Sequence, residues 1–118
     1  LSGHPDHIAI GEFAAESYKR SNSVNALYTM AVPQSLVDSL GMAQLHAIPD
    51  ADITLHVDVS EVWQAKMQAI HCHATQMSAS PITRAPLERQ RLFLASEYFV
   101  RAAARTVRDY FLELESKS

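Results

Sequence analysis

The spacing of apolar positions changes period several times along the chain, and each change marks an element. From Pro5 the run P-D-H-I-A-I-G-E-F-A-A-E-S-Y-K-R places Ile10, Phe13, Ala14, Ser17 and Tyr18 at helical intervals. It predicts a helix with those five residues as its buried stripe. Proline suits a first turn, and Asp6 complements the positive end of the helix dipole. Ser21-Asn22-Ser23 stops it. Residues Ala26 to Val32, A-L-Y-T-M-A-V, are almost continuously apolar, which predicts a strand covered on both faces. Pro33 then opens a short helix, Q-S-L-V-D-S-L, that ends at Gly41. Ile53 to Val57 alternates apolar and polar residues and predicts a strand with one wetter face. Asp58 or Ser60 caps a helix over Glu61 to Ala74, whose apolar stripe is Trp63, Met67, Ile70 and Ala74.

Thr75 to Pro86 is rich in small polar residues and proline and reads as a loop. By periodicity the stretch from Leu87 to Leu114 is mostly helix, although E-Y-F-V within it could equally be a strand. Helices alternating with apolar strands predict an α/β layered domain. Three helices against two clear strands make a thin sheet, as if the chain were half of something.

Composition bounds the class. The 118 residues are 47% hydrophobic and 19% charged, enough for one domain with a core over residues 1–118 and too few for two. A net charge of −3 gives no electrostatic footprint for nucleic acid or an anionic membrane. The single cysteine, Cys72, excludes an internal disulfide framework and fits a reducing compartment. No apolar run approaches the ~20 residues of a membrane span. The first residues lack the basic-then-apolar layout of a signal peptide. The expectation is a soluble, cytoplasmic globular domain without a nucleic-acid or membrane partner.

Chemistry concentrates at the start, in G-H-P-D-H over residues 3–7. Gly3 permits close approach of backbone to a ligand. Pro5 stiffens the turn, so His4 and His7 hold a defined relation. His7 falls at a helix start, where the dipole disfavours positive charge, and a neutral imidazole is what a zinc ligand requires. Asp6 could accept a hydrogen bond from an imidazole N–H and fix its tautomer. The alternative is a coincidence of spacing among six histidines, since H-x-x-H is a weak pattern. His71-Cys72-His73 is a poor metal site, because helical neighbours two apart point about 200° from each other, and Cys72 reads as a packed thiol. Lys66 and His73 share the stripe Val62, Lys66, Ala69, His73, either as a supporting pair for a site or as a solvated flank. His46 and His56 belong to no constellation. There is no glycine-rich phosphate loop, nucleophile elbow or C-x-x-C.

G-H-P-D-H-I-A-I-G-E-F-A-A resembles a signature of the LmbE/PIG-L family of zinc-dependent N-acetylglucosaminyl deacetylases. Two further segments match in order: K-M-Q-A-I-H-C-H-A-T-Q, from Lys66 to Gln76, and Ser96-Glu97-Tyr98-Phe99. Val57 to Ser60, V-D-V-S, sits where the family often places an aspartate. The resemblance implies a Rossmann-like layered sheet flanked by helices, with this chain as the C-terminal half of the family's single domain. It implies that His7 is a Zn2+ ligand and that His4 stabilises the oxyanion or protonates the leaving amine. Asp6 would be the partner of His4, with Lys66 and His73 binding substrate or supporting the site. The family's other motif, Ala-His-Pro-Asp-Asp/Glu, carries the remaining ligands and the general base, and it is absent from these 118 residues. A catalytic zinc needs about three protein ligands and an open position, so these residues alone should be inactive. The expected substrate is an amino sugar, and the expected covering partner is an N-terminal half or a second copy of the chain. The resemblance also argues for a strand around Glu97 to Arg101 and a helical turn at Asp109 to Leu114. Two rivals remain: an amidase acting on sugar-linked thiol conjugates, and a non-catalytic structural or interaction domain.

Overall fold

The computed structural model describes residues 4–73, 75, 82–106, 111 and 113. It is a mixed α/β structure in the order α1 (Pro5–Arg20), β1 (Ala26–Ala31), α2 (Gln34–Leu40), β2 (Leu55–Asp58), α3 (Trp63–Cys72), α4 (Leu87–Leu94) and β3 (Ser96–Ala104). The chain divides into two compact units, Leu1–His56 with Tyr98–Ser118, and Val57–Glu97. Among the described residues no helix is long and apolar enough to cross a membrane.

Three strands pair in the order β1-β3-β2 among the described residues. β1 runs antiparallel to β3, from Ala26 opposite Ala104 to Ala31 opposite Tyr98, with a bulge between Leu27 and Tyr28. β2 also opposes β3: Thr54 N donates to Phe99 O (3.0 Å) and Val59 N to Ala95 O (2.8 Å), so numbers rise along one strand as they fall along the other. Strand β2 starts two residues after the expected Ile53. The cause is Thr54, whose hydroxyl accepts from Arg101 N at 2.8 Å and so takes a place in the ladder that a backbone carbonyl would fill.

β3 corrects the helical periodicity read over the tail and agrees with the strand that the resemblance placed there. Tyr98, Phe99 and Val100 are aromatic and β-branched residues that suit a pleated surface, and they pair with β1. The helical turn expected at Asp109 to Leu114 lies largely outside the described residues, as does most of the loop read at Thr75 to Pro86.

In the first unit the core is Ala31, Val32, Leu36, Val37, Leu40 and Leu55. Helix α2 supplies three of these and is closed as its sequence predicts. Gly41, at φ +63°, adopts the left-handed cap, and Met42 N reaches back to Val37 O at 3.1 Å. Its start has no side-chain cap of its own, because Pro33 occupies that position. Asp50 serves instead, its Oδ1 accepting from Ser35 N at 3.0 Å. The Ser35 hydroxyl, then the Ser35 N–H, hold the Asp50 carboxyl below its usual range. A depressed folded pKa contributes stability that is present above the unfolded value and lost as pH falls through the folded one. Asp50→Ala is therefore expected to lower the melting temperature at pH 7, with the gap from wild type closing as the pH is lowered below 4. A gap independent of pH would show that Asp50 is not the acid-sensitive cap.

Helix α1 departs from the expected burial. None of its residues is buried; Ala15 and Tyr18 are half-covered, while Ile10 is 68% and Phe13 72% exposed. Its C-terminal end is tied by Arg105, which donates to Asn22 Oδ1 at 3.3 Å and to the Tyr18 carbonyl, with its guanidinium 4.4 Å from the Tyr18 ring centre. β1 likewise is not covered on both faces: Thr29 is exposed and Met30 is 58% exposed. Burying a Phe or Ile side chain contributes ~1.5–3 kcal/mol, so several left in water consume much of a domain's ~5–15 kcal/mol. Residues 1–118 alone are expected to self-associate and to bind an apolar dye. A sharp, reversible melt of a strict monomer without dye binding would contradict this.

In the second unit, Asp58 Oδ1 accepts from Ser60 N at 2.8 Å and starts a 3-10 turn at Ser60–Val62 that leads into α3. Of the expected α3 stripe, Trp63, Met67 and Ile70 are half-buried, and Ala74 lies outside the described residues. Cys72 is exposed, which corrects the reading of a packed thiol.

Candidate functional site

The first turn of α1 gathers three chemistry-bearing side chains because Pro5 sits at its first position. A residue before proline is pushed toward extended backbone, and His4 has φ −67° and ψ 135°, the conformation an N-cap needs. Its carbonyl accepts from His7 N (3.0 Å) and Ile8 N (3.1 Å), and its ring Nδ1 accepts from Asp6 N at 3.2 Å. His4 is thus both cap and candidate acid. With Nδ1 an acceptor, the neutral ring carries its proton on Nε2.

This geometry specifies the contact between Asp6 and the His4 imidazole. Asp6 fixes the tautomer through its backbone N–H, while its carboxylate Oδ2 lies 3.8 Å from Nδ1, at ion-pair distance. The rings of His4 and His7 have centres 5.5 Å apart and are tilted by 49°. All three residues are exposed.

Among the described residues no group of three or more His, Cys, Asp or Glu is placed to hold a metal ion. Two exposed imidazoles and a carboxylate on one turn suit one contribution to a larger ligand set.

Lys66 and His73 fall in the second unit. Lys66 pairs with Glu97 Oε1 at 3.1 Å and donates to Leu94 O at 2.6 Å, half-buried. His73 is the exposed C-cap of α3, its backbone N–H donating to Ile70 O. Glu97 as the partner of Lys66 was not legible from spacing, since 31 residues separate them and only the fold brings them together. His71 Nδ1 donates to Met67 O at 2.7 Å, within its own helix. His56, read as isolated, stacks on Tyr98 with ring centres 4.8 Å apart and planes within 9°.

Comparison with known proteins gives a consistent family. A 1D-myo-inositol 2-acetamido-2-deoxy-alpha-D-glucopyranoside deacetylase of Saccharomonospora viridis is 32% identical over 94 residues, covering 67% of this chain and 35% of the relative. The enzyme of the same name from Rhodococcus jostii is 29% identical over 126 residues, covering 83% of this chain and 43% of its own. That of Actinosynnema mirum is 32% identical over 91 residues, covering 64% and 32%. This chain belongs to the LmbE/PIG-L family. It spans less than half the length of the curated relatives it matches. No family model matches it, and no solved structure does.

Proposed function

We propose that the protein takes part in hydrolysis of the N-acetyl group of a 2-acetamido-2-deoxyglucopyranoside, the class named for its relatives. The observation that supports this most strongly is the 32% identity over 94 residues to a deacetylase. The first turn of α1 supplies chemistry that fits. Water adds to the amide carbonyl, the C–N bond breaks, and acetate and a protonated amine leave. His4 donates a hydrogen bond from Nε2–H to the developing oxyanion, and both protons of the water end on the departing nitrogen. The Asp6 N–H, donating to Nδ1, holds the tautomer that presents this N–H.

His7 is the residue that would hold zinc, a metal suited to imidazole and carboxylate donors. When bound, zinc supplies a Lewis acid and lowers the pKa of a water toward neutrality. The remaining ligands and the general base belong to residues outside these 118, in the Ala-His-Pro-Asp-Asp/Glu segment that the resemblance implies. On this reading the chain is the C-terminal portion of one domain, and its sheet is part of a larger Rossmann-like layer. The remaining portion, or a second copy in its place, covers Ile10, Phe13 and Met30.

The test is to incubate the native polypeptide with 1D-myo-inositol 2-acetamido-2-deoxy-alpha-D-glucopyranoside and to quantify acetate and primary amine. Equimolar release is expected. Release of neither, by protein carrying its metal, would remove the deacetylase reading.

A further inference from the structure

Helix α1 carries its chemistry at one end and a polar anchor at the other. None of its residues is buried, and Ala9, Ala15 and Tyr18 alone are half-covered. Packing within the first unit therefore does little to fix the direction of the helix. The anchor is Arg105, which directly follows β3. Its backbone N–H donates to Asn25 O at 2.8 Å, beside the start of β1. Its guanidinium donates to the Tyr18 carbonyl, to Lys19 O at 3.4 Å and to Asn22 Oδ1 at 3.3 Å, and it lies 4.4 Å from the Tyr18 ring centre.

Tyr18 and Lys19 belong to the last turn of α1, whose carbonyls have no acceptor role within the helix. A guanidinium presents its donors in one rigid plane. Set on two such carbonyls, an amide oxygen and an aromatic face, it holds the helix end against both tilt and rotation. The lever is long. His4 lies 14 residues before Tyr18, about 21 Å along the axis at ~1.5 Å per residue. Over that length a tilt of about 5° moves the first turn by about 2 Å. Misplacement of a reacting group by about 1 Å can cost on the order of 10²-fold in rate.

We propose that Arg105 is a positioning residue for the chemistry at the first turn of α1. It touches neither His4 nor substrate and acts through the direction of the helix that carries His4 and His7. The inference rests on the deacetylase reading given above.

The native polypeptide, loaded with zinc, would be compared with Arg105→Ala and with the milder Arg105→Lys, which keeps the charge and loses the planar fork. Kinetics are measured well below the melting temperature of each variant. An oxyanion donor acts in the transition state, so kcat should fall about tenfold or more in Arg105→Ala, with KM within about twofold. Arg105→Lys should show the same split at about threefold. Spin labels at Glu12→Cys on α1 and Ala102→Cys on β3, with other cysteines replaced by serine, report the helix direction without need of activity. Their distance distribution should shift or broaden in both variants, a change that loss of stability alone does not produce in folded protein. The inference is overturned if kcat stays within about twofold of wild type in both variants, or if the distances are unchanged. Should wild type release no acetate, the deacetylase reading falls and the distances alone decide whether Arg105 directs α1. An active wild type whose variants keep kcat leaves that reading standing and removes this inference. Arg105→Lys decides the matter where Arg105→Ala does not fold.

Discussion

The native polypeptide carrying His7→Ala is expected to lose its zinc, and with it all measurable deacetylation, whereas His73→Ala keeps the metal. A catalytic zinc has about three protein ligands, so deleting one removes a third of the set. His7 is placed for this role: it lies exposed on the first turn of α1, beside the His4 ring. The competing cluster is not. His71 Nδ1 is committed to Met67 O in its own helix, and His73 is the C-cap of that helix, its backbone N–H donating to Ile70 O. Metal content by elemental analysis, set against protein concentration, separates the two. Zinc surviving the loss of His7 but not of His73 would show that the ligand lies on α3.

Replacing His4 with alanine should leave zinc bound and lower turnover by roughly 10²–10⁴-fold, the scale for losing a general acid or an oxyanion donor. His4 is also the N-cap of α1, and losing a capping side chain costs about 0.5–2 kcal/mol. His4→Asp separates these roles, because an ionised aspartate caps a helix well and has neither an N–H nor a proton to donate to an oxyanion or an amine. Stability should recover in His4→Asp while turnover stays low. Recovery of both would make His4 a cap and nothing more. Loss of metal comparable to that in His7→Ala would make it a ligand.

Elements that depend on local chemistry were legible in the sequence. The α1 boundaries follow from Pro5 and the Ser21 stop, and α2 from Pro33 and Gly41, because each is set by backbone preferences of one or two residues. Periodicity does not separate β3 from the helix before it, because Leu87 to Arg101 keeps helical spacing and strand pairing with β1 outweighs it. The tertiary pairs were not legible: Asp50 with Ser35, Lys66 with Glu97, Arg105 with Tyr18. Each joins residues 15 or more apart, and no local pattern encodes them.

Of the candidate site, G-H-P-D-H showed which residues share a turn. It did not show that Asp6 reaches the His4 ring through its backbone, because that depends on the extended conformation Pro5 imposes. The burial of α1 is likewise not legible in its stripe. An apolar stripe states that a face can be covered, and Ile10 and Phe13 remain exposed among the residues described here.

The central claim is that His7 holds a catalytic metal at the first turn of α1. Crystals of the native polypeptide grown with zinc, measured on both sides of the zinc absorption edge, test it most directly. The account expects one strong anomalous peak about 2.0–2.1 Å from a ring nitrogen of His7, with the His4 ring beside it and not bonded to it. A peak on His71 or His73, or none within bonding distance of His7, would contradict it.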